Sequence, residues 1–91
     1  MKITIQGTIY DTETAVLIGT AIQTNKASTS WQAGLYRTPR SGRYFLAGEG
    51  GSMTRWADDA GIFVLTPDEA REWAEEYLED LSDDELLAAF A

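Results

Sequence analysis

Leu35-Tyr36-Arg37-Thr38-Pro39-Arg40-Ser41-Gly42-Arg43-Tyr44-Phe45-Leu46 is the stretch that decides the fold. Two runs rich in aromatic and aliphatic residues flank the connection Pro39 to Gly42, which reads as a β-hairpin. Proline presets the backbone angle at the first corner of the turn, and glycine supplies a positive one at the last. Pairing Thr38 with Arg43 sets the register, with Tyr36 opposite Phe45 and Leu35 opposite Leu46. Cross-strand pairs of this kind contribute roughly 0.2–1 kcal/mol each.

On the N-terminal side, Lys2 to Gln6 reads as a short strand, and Thr8-Ile9-Tyr10 pairs back across Gly7 as a tight hairpin. Asp11 then suits a helix cap, so the reading favours one helical turn over 12–17 and a strand over 18–24. The alternation of Val16, Ile18, Thr20 and Ile22 supports a second reading in which 15–22 is all strand. Asn25 to Ser30 is a small polar loop.

On the C-terminal side, Gly48-Glu49-Gly50-Gly51 predicts a loop that ends the hairpin. Ser52 is placed to cap a short helix near 53–60 that carries Met53, Trp56, Ala57 and Ala60 on one face and stops at Gly61. Ile62 to Leu65 predicts a returning strand. Thr66-Pro67-Asp68-Glu69 is a capping box with proline at the first helical position. Ala70, Trp73, Ala74, Tyr77, Leu78 and Leu81 follow at helical spacing. Ser82-Asp83-Asp84-Glu85 is a second capping box, so the chain is expected to end as helix, bend, helix. The fold class that follows is α+β. A small antiparallel sheet, a meander containing the 35–46 hairpin, packs against C-terminal amphipathic helices. Residues 1–91 form one domain, mainly β over 1–65 and acidic and helical over 66–91.

Composition narrows the function classes. The chain has 91 residues, 44% of them hydrophobic, enough for a core but for only one domain. It has no cysteine and no histidine, which removes thiolate and imidazole metal sites and every Cys- or His-based catalytic arrangement. The Gly-rich 48–51 segment lacks the Lys-Ser/Thr pair of a phosphate-binding loop. Asp58-Asp59 and Asp83-Asp84-Glu85 lack the alternating oxygen ligands of a calcium loop. Neither a metal nor a cofactor is expected, and no enzyme motif is present. The N-terminal stretch lacks the apolar run of a signal peptide, and no window is long enough to span a membrane. A cytoplasmic, non-membrane protein is the expectation.

Charge is segregated. Residues 1–57 carry six basic and three acidic residues, net +3, whereas residues 58–91 carry one basic and twelve acidic, net −11. Together they make the overall −8. Glu72, Glu75, Glu76, Glu79 and Asp80 lie off the Trp73/Tyr77 stripe and are the candidate partner-binding residues, facing a basic protein surface. A row of carboxylates on a rigid helix imitates a phosphate backbone, although a merely solvated face has the same composition. The alternative face comprises Tyr36, Arg37, Arg40, Arg43 and Arg55, where arginines interleave with aromatic residues as in single-stranded nucleic-acid binders. The favoured reading of those arginines is that they pair internally with the acidic helices, as weak surface ion pairs. The net charge makes nucleic acid the less favoured partner.

Four segments occur in a recognisable order: Tyr10-Asp11-Thr12-Glu13-Thr14-Ala15; Leu35 to Thr38 with Gly42 to Leu46; Gly48 to Met53; and Leu65-Thr66 with Glu69-Ala70-Arg71-Glu72-Trp73-Ala74-Glu75-Glu76. In these, over most of residues 1–80, the chain resembles a family of small acidic proteins carried by phages, plasmids and integrative conjugative elements. The family has no assigned chemistry, so no site residue follows from it. Small acidic proteins of that setting often resemble anti-defence factors, including anti-CRISPR proteins. Combined with the segregated charge, which supplies the contact face, the resemblance leads to the expectation of an inhibitor that docks its acidic helix on a basic nucleic-acid-binding groove of a host CRISPR-Cas or other defence complex. The alternative is an accessory protein that binds nucleic acid through Arg37, Arg40, Arg43 and Arg55.

Overall fold

The structure is a computed structural model and describes residues 2–24, 26, 28–54, 56 and 61–78. Strands β1 (Lys2–Ile5) and β2 (Thr8–Asp11) form a two-stranded hairpin, in the register Ile3 to Tyr10 and Ile5 to Thr8. Gln6 and Gly7, with φ of 49° and 82°, make the two-residue turn. Positive φ at both corners gives the turn a twist that matches that of its strands, and only glycine adopts it freely.

A four-stranded antiparallel meander follows: β3 (Val16–Gln23), β4 (Trp31–Arg37), β5 (Tyr44–Gly50) and β6 (Ile62–Leu65), neighbouring in that order. Leu35 opposes Leu46, Tyr36 opposes Phe45, and the Thr38 amide donates to the Arg43 carbonyl at 2.8 Å. The hairpin has the register read from its turn. The turn is further held by the Thr38 hydroxyl, which accepts from the Arg43 amide at 2.9 Å.

Alternation along β5 sorts the core into two layers. Tyr44 and Leu46 point to one face and pack with Ala33, Leu35, Trp56, Ala70, Trp73, Ala74 and Leu78. Phe45 and Ala47 point to the other and pack with Tyr10 and Ile62. Helix α1 (Pro67–Tyr77) lies on the first face. The β1–β2 hairpin covers the second, Tyr10 meeting Phe45 edge-on at 5.5 Å. The sheet is therefore sandwiched, and each face has its own cover.

Three sequence expectations change. The favoured helical turn over 12–17 is confined to a turn at 12–14, where Asp11 accepts from the Glu13 amide through Oδ1 at 2.9 Å and from the Ala15 amide through its carbonyl at 2.9 Å. Strand β3 starts at Val16 rather than Ile18, as the all-strand reading has it. Gly48, Glu49 and Gly50 belong to β5 rather than to a loop. A Cβ on Gly48 would collide with the Gln32 carbonyl oxygen and lie 2.7 Å from Ala33 Cβ, so the close approach of β4 requires glycine there. Of the helix expected near 53–60, the described residues show a turn at Ser52 and Met53 and a bend at Thr54, with Met53 exposed and Trp56 buried rather than sharing a face, and Arg55 and residues 57–60 lie outside the described residues. So do 79–91, with the second capping box at Ser82. Among the described residues there is one helix, and none is long and apolar enough to cross a membrane.

Candidate functional site

Helix α1 starts where the sequence requires it. Thr66 Oγ1 accepts from the Glu69 amide at 3.1 Å, and Glu69 Oε1 accepts from the Thr66 amide at 2.9 Å. Two otherwise orphaned donors are satisfied, and Asp68 and Glu69 meet the positive end of the helix dipole. At the far end the Leu78 amide donates to the Ala74 carbonyl at 2.9 Å. Ala70, Trp73, Ala74 and Leu78 are buried, Trp73 being only 8% exposed.

The opposite side of α1 is acidic. Asp68, Glu72, Glu75 and Glu76 are all exposed. Arg71 Nε lies 3.2 Å from Glu75 Oε1, the two side chains being 58% and 54% exposed. An exposed i,i+4 pair of this kind is worth about 0.3–0.5 kcal/mol and leaves the row strongly negative. Three of the five candidate partner-binding residues, Glu72, Glu75 and Glu76, thus share one rigid element. Glu79 and Asp80 lie outside the described residues.

The alternative face divides. Tyr36 packs on Phe45 with ring centroids 5.3 Å apart and planes tilted by 51°, on the side of the sheet away from α1. Arg37, the next residue along β4, points to the helix side, its guanidinium against Gly42. Arg40 and Arg43 are exposed at the hairpin end, and Arg55 lies outside the described residues. The Tyr36 ring and its neighbouring arginine consequently do not share a surface.

Beside the acidic helix lies a feature that the charge pattern gave no sign of. Trp31, at the start of β4, packs against Trp73 at 6.4 Å and against Tyr77 at 5.1 Å, and Trp73 and Tyr77 are 5.2 Å apart. These rings, with Trp56, Met53 and Glu76, line a cavity of about 370 Å³. Its other wall is tied down by backbone: the Gly51 amide donates to the Ser30 carbonyl at 2.9 Å, and the Met53 amide to that of Ser28 at 2.8 Å. Met53 is 76% exposed at the rim. The sequence does carry a signal for Trp31, which shares the i, i+2 alternation with Ala33 and Leu35. Its partners, however, sit more than 40 residues away along the chain.

No protein-family model matches the chain, and neither a curated protein nor a solved structure matches it.

Proposed function

We propose that the chain is a non-catalytic binding protein that docks the acidic face of α1 on a basic surface of a partner protein. The observation that carries this reading is the exposure of Asp68, Glu72, Glu75 and Glu76 on a helix whose other side is locked into the core by Trp73 and Ala74. Rigidity matters because a fixed row of carboxylates loses little conformational entropy on binding. Like charges at Asp68/Glu72 and Glu72/Glu76 each cost the helix about 0.2–0.5 kcal/mol, a cost that an electropositive partner relieves. The resemblance to mobile-element proteins favours a nucleic-acid-binding groove of a defence complex of the CRISPR-Cas type, with the chain as its cytoplasmic inhibitor.

Immobilised chain exposed to a bacterial lysate tests the proposal. A nucleic-acid-binding protein should be retained, released by moderate salt and displaced by duplex DNA. Retention that ignores both salt and DNA would overturn it.

A further inference from the structure

We infer that the Trp31/Trp73/Tyr77 cavity is a binding site for an organic cation, namely the head of an arginine or lysine side chain presented by the partner protein. The inference rests on the docking reading above and deepens it, by assigning the point where one basic side chain of the partner is recognised individually.

Three observations converge. The cavity is walled by aromatic rings, whose faces carry negative electrostatic potential and attract ammonium and guanidinium groups within about 6 Å. Trp31 and Tyr77 are only partly buried, so ring surface remains available to an incoming group. Glu76, a carboxylate, is the one acidic residue among the described residues that line the cavity, and Glu72 lies one helical turn before it. A cation placed here gains from both the rings and the Glu76 carboxylate. The volume of about 370 Å³ lies at the small end of the ~300–1,000 Å³ usual for ligand sites, the size class of a single extended side chain rather than a large cofactor. The exposed thioether of Met53 at the rim adapts to the aliphatic stem that follows the charged head. A planar guanidinium also stacks on an indole, which favours arginine over lysine.

The test uses the full chain, ¹⁵N-labelled, titrated with the peptide acetyl-Gly-Arg-Gly-Arg-Gly-amide and with its isosteric neutral counterpart bearing citrulline. The indole N–H signals of Trp31 and Trp73 should shift and saturate with the arginine peptide and remain still with citrulline. Glu76→Gln, a surface change that does not disturb the fold, should weaken binding about 2–5-fold, and Tyr77→Leu by a similar factor while Tyr77→Phe binds normally. Equal response to the neutral peptide would overturn the inference, as would unchanged affinity in Glu76→Gln. Shifts confined to the backbone amides of Glu72 and Glu75, with the indoles silent, would leave helix docking standing and remove the cavity from it. Indole shifts indifferent to salt and to Glu72→Gln and Glu75→Gln would do the reverse.

Discussion

The ring of Tyr77 meets that of Trp31 edge-on, with centroids 5.1 Å apart and planes at 87°. One ring belongs to the last turn of α1 and the other to the first residue of β4, so this contact, together with that of Trp31 and Trp73 at 6.4 Å, ties the acidic helix to the sheet beside the cavity. Edge-to-face aromatic pairs contribute about 0.5–1.5 kcal/mol beyond area burial. A double-mutant cycle with Trp31→Leu and Tyr77→Leu should return a coupling energy in that range from urea unfolding. Additive losses would mean that the rings are adjacent without being energetically linked.

Trp73 anchors the helix. It is 8% exposed and contacts the core layer that holds Leu35, Tyr44 and Leu46 of the hairpin strands. Trp73→Ala should lower stability by about 3–5 kcal/mol, a large fraction of what a domain of this size has. Chemical denaturation measures it directly, and a variant as stable as the parent would contradict the packing described.

The reciprocal cap at Thr66 and Glu69 makes two backbone bonds depend on two side chains. Thr66→Ala should cost about 1 kcal/mol. Glu69→Gln should cost less, since a glutamine oxygen can still accept from the Thr66 amide. Thermal unfolding of the pair ranks them, and equal losses would show that the carboxylate acts mainly through charge.

That cap and the 35–46 hairpin were legible in the sequence because both are local. A turn and its flanking residues, or a threonine and a glutamate three positions on, contain all the atoms that make the bond. Strand β3 was less so because a register shift between Leu17 and Gly19 breaks the two-residue alternation on which strand reading depends. Gly48 misled for a different reason. Glycine is the commonest loop residue, yet here it is demanded by the approach of the Gln32 carbonyl, a contact from another strand. On the candidate site, the acidic row of α1 was readable from spacing alone. The aromatic cavity was not, since it is assembled from segments near residues 31, 53 and 73.

Gly48→Ala checks that strand assignment. The added methyl would overlap the Gln32 carbonyl and crowd Ala33, so β4 and β5 must move apart. The expected loss is about 1–3 kcal/mol, the range for overpacked sites. Neutral behaviour in thermal unfolding would indicate a loop at this position.

Charge reversal on α1 compares function with stability most directly. Glu72→Lys removes repulsion with Asp68 and Glu76 and should leave the isolated domain as stable as before or more stable, by a few tenths of a kcal/mol. The decisive measurement is the dissociation constant of the lysate-captured partner for three proteins: the parent chain, the triple variant Glu72→Lys/Glu75→Lys/Glu76→Lys, and the double variant Arg40→Glu/Arg43→Glu. Docking through the acidic helix predicts that the triple variant stays folded and loses binding, while the arginine variant binds like the parent. The opposite ranking, accompanied by duplex DNA binding of the parent chain that the arginine changes weaken, would contradict it.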